Sequence, residues 1–218
     1  YNIMAGFTDT FMAPYALAIG ASPSMIGFLT ALPNLAGAFL QSLSASIAER
    51  LGSRQALINP AVLAHALMLI PIIAVPYLCG ADAAWYLVVL YAAFVSLNLL
   101  AFPAWSSMMA DHVPERERGR VFGRRNRIFG FINVSAMFTA GLILYLAKRF
   151  LAGQGGFLHR YAGVVGFSVI FSVACVARLF SWHFLTKMYE PKLEIRDEHR
   201  FTIWDFLKRV RKTNFGRF

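Results

Sequence analysis

Asp9, His65 and Arg178 are ionisable residues placed inside long apolar stretches of this chain. A charge held away from water is costly unless it is paired, hydrated or used, so each marks a structural partnership or a proton or solute path. Asp9 comes early in the first apolar stretch and Arg178 late in the last, which places them at comparable depth if those stretches run in opposite senses. An Asp9–Arg178 ion pair is one reading; an Asp9 that titrates is the other. His65 reads more readily as a hydrogen-bonded core residue than as a proton carrier. Neutral polar residues recur at a spacing of seven, nearly two helical turns: Asn34 with Gln41, Asn98 with Trp105, Asn126 with Asn133. Each pair shares a helix face, either as glue between helices or as the wall of a wet cavity. Catalytic chemistry is not indicated. There is no metal-ligand cluster, nucleophile elbow or phosphate loop, and Asp111-His112 offers only two adjacent ligands. Cys79 and Cys175 show no metal spacing or pair signature and read as small core residues. The sequence is read as no enzyme, with no cofactor and no metal.

The elements that hold these residues must be membrane helices. Of 218 residues, 58% are apolar and only 15% charged, whereas an average soluble domain is about one quarter charged. That balance excludes an ordinary soluble enzyme, a disordered tail and a disulfide-stapled domain. Apolar stretches bounded by charge and turn residues place six spans at about 3–19, 24–48, 55–78, 83–110, 127–147 and 161–187. Pro14, Pro33, Pro71, Pro76 and Pro103 lie inside them, which membrane helices tolerate through bends and neighbouring donors. Ser22-Pro23 reads as an N-cap followed by a first-turn proline, and Asp82 as a second cap. No signal peptide is evident, and the start at Tyr1 reads as trimmed.

The net charge of +10 is distributed rather than concentrated on one face, which argues against nucleic acid as a partner. Most of the 21 Lys and Arg fall in the 2–3 connection, the 4–5 connection (Arg116 to Arg125) and the segment after span 6; Lys148, Arg149 and Arg160 stand opposite. The positive-inside rule then makes the rich side cytoplasmic, with both termini there. Residues 188–218 form a cytoplasmic linker in which 201–212 is expected as an amphipathic helix at the headgroup boundary: Ile203, Trp204, Phe206, Leu207 and Val210 share one arc.

Two loops carry a family likeness. Ala45-Ser46-Ile47-Ala48-Glu49-Arg50-Leu51-Gly52-Ser53-Arg54 resembles the helix 2–3 loop motif of the major facilitator superfamily, G-x-x-x-D-R-x-G-R-R. Glu49, Arg50, Gly52 and Arg54 match it; Ala45 and Ser53 depart from it. The run from Ala110-Asp111 through Pro114 to Arg118-Gly119 resembles the family's helix 4–5 junction. The opening Pro14-Tyr15-Ala16-Leu17 with Gly20-Ala21-Ser22 also fits, and Asn214-Phe215-Gly216-Arg217-Phe218 is similar to the approach to helix 7. A Gly-Pro-x-x-Gly-Gly run of the kind associated with drug antiporters is missing from helix 5.

The resemblance implies an all-α membrane protein, a half bundle of six transmembrane helices (1–187) with both termini cytoplasmic, in the cell inner membrane. The implied activity is secondary transport of a small solute, with or without a proton, by alternating access against a second six-helix half, either missing sequence or another copy. Glu49, Arg50, Gly52, Arg54, Asp111, Arg118 and Gly119 would form the gating loops, with Arg50 and Arg54 reaching Asp111 and Glu49 facing helix N-termini. Asp9, Asn34, Gln41, Asn98, Trp105, Asn133 and Arg178 are the candidate solute or proton pathway, helices 1, 2, 4 and 5 being the expected cavity walls. The other reading is a non-transporting, transporter-like subunit or assembly factor of a larger membrane complex, with which Ser53 and the single half are compatible.

Overall fold

The computed structural model describes residues 1–151 and 162–191, and every regular element among them is helical. The expected amphipathic helix 201–212, most of the linker, Arg160 and the closing 214–218 lie outside the described residues. The helices are α1 (Asn2–Thr8), α2 (Met12–Ala18), α3 (Pro23–Leu51), α4 (Arg54–Leu67), α5 (Leu69–Leu78), α6 (Ala83–Asp111), α7 (Arg118–Leu151) and α8 (Ala162–Thr186). Among the described residues, five stretches are long and apolar enough to cross a membrane: α3, α4 continued by α5, α6, α7 and α8.

The first expected span is therefore not one helix. α1 and α2 have 7 residues each, and a turn over Asp9–Phe11 separates them. Pro14 is the cause: in a continuous helix its ring would strike the Thr10 carbonyl and offer it no N–H. As the third residue of α2 it stands in a first turn, where the missing donor costs nothing. The Thr8 hydroxyl, donating back to the Met4 carbonyl at 3.0 Å, favours the same bend. The third span divides at Met68 into α4 and α5, because Pro71 would clash with the Leu67 carbonyl in the same way. Pro76 inside α5 deprives the Ile72 carbonyl of its helical donor, and the buried Tyr15 hydroxyl replaces it at 2.7 Å. The Cys175 thiol donates to the Ala66 carbonyl at 3.3 Å, just before the α4–α5 break. The bent span is thus stitched to α2 at the carbonyl that Pro76 frees, and to α8 beside the α4–α5 break.

The fifth expected span, 127–147, is longer than its apolar core. α7 has 34 residues, about 51 Å at 1.5 Å per residue, against a hydrocarbon slab of about 30 Å. Arg118, Arg120, Arg124 and Arg125, expected in a loop, form its first turns. Arginine is a good helix former, and two i,i+3 ion pairs, Arg118–Glu115 at 3.5 Å and Arg120–Glu117 at 3.3 Å, support the start. Ser22 caps α3 as expected, accepting from the Met25 N–H at 3.4 Å. Asp82 occupies the corresponding position of α6, but its side chain makes no cap bond.

α3 lies along α6; α4 packs on α6 and α8; α1 packs on α7 and α8, and α7 on α8. Tyr15 anchors the main core, with ring centroids 5.4 Å from Phe167 and 5.1 Å from Phe171. A second cluster, around Ile58, Val62, Met108 and Leu185, underlies the arginine-rich end. The α1–α7 crossing is so close that a Cβ on Gly6 would meet the Asn133 carbonyl oxygen at 2.6 Å and the Ala136 Cβ at 2.7 Å. Phe39, Phe131, Phe138, Phe180 and Phe184 remain exposed, an ordinary surface toward lipid or another bundle and an aggregation hazard in water.

Candidate functional site

The arginine-rich end is built on two short connections and the exit of α8. Gly52 ends α3 in the left-handed region at φ 65°, a conformation that strains a residue with a Cβ. The chain then enters α4 at once, with Ser53 as N-cap accepting from the Ala56 N–H at 3.1 Å. The Ser53 hydroxyl also donates to Glu190 Oε2 at 2.6 Å. The other Glu190 oxygen accepts the Arg54 backbone N–H and, at 3.3 Å, that of Gln55. A carboxylate from beyond α8 thus sits on the N-terminus of α4, where unpaired N–H groups and the helix dipole favour an anion. The Gln55 side-chain amide reaches the Met188 carbonyl as well.

Arg54, only 3% exposed, points inward from this cap. Its Nη1 donates to Asp111 Oδ2 at 2.7 Å and to Ser107 Oγ at 2.9 Å, and its Nη2 to the Pro191 carbonyl at 3.3 Å. His112 lies 2.7 Å from the Met108 carbonyl through Nδ1 and 3.0 Å from the Tyr189 carbonyl through Nε2, bridging the end of α6 and the exit of α8. Arg118 Nε donates to the Ala110 and Val113 carbonyls at 3.1 and 3.2 Å, covering the end of α6. One joint therefore ties together the start of α4, the end of α6 and the exit of α8.

Only part of the expected loop constellation meets here. Arg54 reaches Asp111; Arg50 does not, because it remains on the last turn of α3, outside the Gly52 turn, and is exposed. Glu49 is exposed too, and the helix N-terminus expected for it is taken by Glu190. Neither makes an ion pair with another described residue. Gly119 lies in the first turn of α7 with open space around it. Sequence reasoning missed Glu190, the first of several acids that follow the last span, and nothing in its local sequence sets it apart from Glu194, Asp197 or Glu198. It also took Ser53 for a lost base, although serine directly before a helix is the usual cap.

The second polar site lies within the bundle. Arg178 on α8 is 4% exposed. Its Nε donates to His65 Nδ1 on α4 at 3.2 Å, and its Nη2 to Asn98 Oδ1 on α6 at 3.3 Å. Its guanidinium lies 5.0 Å from the Tyr1 ring centroid, and the Asn98 amide donates to the Tyr1 hydroxyl at 3.3 Å. His65, 1% exposed, stacks on Phe94 with centroids 4.0 Å apart. Every group on Arg178 is neutral: no described carboxylate lies within 4.0 Å of it. The Asp9–Arg178 pair is not formed, because the α1–α2 break leaves Asp9 exposed, accepting only the Thr8 hydroxyl at 3.1 Å.

The seven-residue pairs do not act as pairs. Asn98 joins Arg178, whereas Trp105 packs under the Arg125 guanidinium of α7 at 4.5 Å, with Phe129 at 4.9 Å from the same group. Asn133 donates to the Asn2 carbonyl at 3.3 Å at the α1–α7 crossing. Asn34 donates to the Thr30 carbonyl of its own helix at 2.8 Å, and Gln41 is half-buried on α3.

Apolar helices that confine their polar groups to a charged joint at one end and a network within the bundle define a membrane-embedded helical protein; no group of metal-ligating side chains occurs among the described residues. The family model of the Major Facilitator Superfamily matches residues 2–215, and the chain belongs to that family of membrane transporters of small solutes. No curated protein and no solved structure matches it.

Proposed function

We propose that this chain is the amino-terminal six-helix half of a secondary transporter working by alternating access, with α1 and α2 in tandem serving as its first span. Both termini face the cytoplasm of an inner-membrane protein, residues 188–218 lead as a linker toward a second six-helix half, and solute crosses between the halves. Asp9, Asn34, Gln41, Asn98, Trp105, Asn133 and Arg178 are the proposed path residues, and a proton accompanies the solute where Asp9 titrates. The observation that carries the reading is the Arg54–Asp111–Glu190 joint. It welds three helix ends into one body, as rocking of a rigid half requires, and leaves Glu49 and Arg50 exposed at its edge for the second half. Closing that side then needs a bias of only a few kcal/mol between two states.

The test is transport by the full-length protein in liposomes, screened with labelled solutes. At least one solute exchanges faster than in empty vesicles, and Arg54→Ala slows that exchange about tenfold while the protein still purifies as a folded species. No exchange for any solute, with stable co-purification in a larger membrane complex, would instead favour the non-transporting subunit.

A further inference from the structure

Arg178 combines deep burial with a complete lack of negative partners among the described residues. Such a charge is strongly disfavoured unless an anion accompanies it, and an apolar residue of similar size would fill the space without that penalty. Two of the five N–H donors of the guanidinium are used on described residues, by His65 and Asn98, and the others have no described hydrogen-bond partner. Around it, Asn98 is only half-buried, so the network is not sealed on the α6 side. Asn98 stands near the middle of α6, at the depth where membrane carriers hold their cargo.

We propose that Arg178 is the anchor for an anionic group of the solute, specifically a small organic monocarboxylate. The guanidinium fork matches a carboxylate in shape and donor spacing. It also brings a single positive charge among neutral neighbours, which one carboxylate cancels and a doubly charged phosphate would overrun. His65 and Asn98 are positioning residues: both accept from the guanidinium and hold it between α4, α6 and α8. The internal counter-ion that the sequence suggests, Asp9, is exposed at the helix break and makes no ion pair with a described residue. This inference rests on the transport reading, whose solute class it names.

The experiment follows thermal unfolding of the purified full-length protein at constant ionic strength with matched probes: lactate against lactamide, and benzoate against benzamide. Carboxylates raise the melting temperature and their amides do not. Arg178→Lys, which keeps the charge and loses the fork, weakens the response about tenfold; Arg178→Gln abolishes it. Asn98→Asp provides an independent arm that keeps the guanidinium in place. It places a carboxylate of the protein itself on Arg178, and should leave the unliganded protein at least as stable while removing the carboxylate response. A response equal for amides, absent for all probes, or retained in Asn98→Asp or Arg178→Gln overturns the proposal. The two readings also separate. Exchange of neutral solutes in liposomes that is indifferent to Arg178→Gln keeps transport and removes the anion site. Carboxylate-dependent melting lost in Asn98→Asp, without exchange of any solute, keeps the site and removes transport.

Discussion

Arg54 and Arg178 are almost equally buried, at 3% and 4% exposure, yet their surroundings are opposite. Arg54 meets the Asp111 carboxylate through its side chain, while its backbone N–H meets that of Glu190. Arg178 meets an imidazole, an amide and a phenol ring. Burial by itself thus says little about what a charge is for; the sign of its neighbours says more. A buried cation closed by fixed anions is a structural tie, and its removal strands those anions. A buried cation closed by neutral groups strands no fixed anion when it is removed.

That contrast can be broken by replacing each arginine with an apolar residue of similar length and measuring unfolding of the full-length protein in detergent. Arg54→Met should be the most damaging, by about 3 kcal/mol, since it leaves Asp111 and the Ser107 hydroxyl without their partner. Tyr15→Phe gives a yardstick free of charge: it orphans the Ile72 carbonyl beside Pro76 and should cost about 2 kcal/mol. Glu190→Gln keeps the shape of the α4 cap and loses its charge, for about 1 kcal/mol. Arg178→Met should fall within about 1 kcal/mol of wild type without ligand, because it strands no carboxylate. If Arg178→Met proved as costly as Arg54→Met, the two arginines would be alike and the contrast would be wrong.

Much of the architecture was legible because hydrophobic stretches of membrane length have few alternatives: the starts of α3, α4 and α6 and the end of α8 fall within a few residues of expectation. The divisions at Asp9–Phe11 and Met68 were not foreseen, although Pro14 and Pro71 stood in view. Pro76 is absorbed in α5 with the Tyr15 hydroxyl as donor, which lies far away in sequence, while Pro33 and Pro103 are absorbed within α3 and α6. The start of α7 was missed because charge was taken for loop, whereas arginines beyond the slab extend a helix as readily as they end it. At the joint, Arg54 and Asp111 were readable from the loop motif. Glu190 was not, since its role exists only once α8 has returned beside α4. Arg178 was visible as an anomaly, but its neighbours His65 and Asn98 come from two other helices and no local spacing announces them.

The central claim, a carrier half whose arginine-rich end is held by the Arg54 joint, is tested most directly by accessibility at Gln41, half-buried on α3. The measurement uses full-length protein with all native thiols replaced, including Cys79 and Cys175, and a single Gln41→Cys. A membrane-impermeant maleimide is applied from either face of sealed vesicles. The account predicts reaction from both faces, with Arg54→Ala changing the ratio of the two rates about tenfold because the ends of α4, α6 and α8 no longer move as one body, equivalent to about 1.4 kcal/mol between the two states. Labelling from one face only, at a rate unchanged by Arg54→Ala, would contradict it.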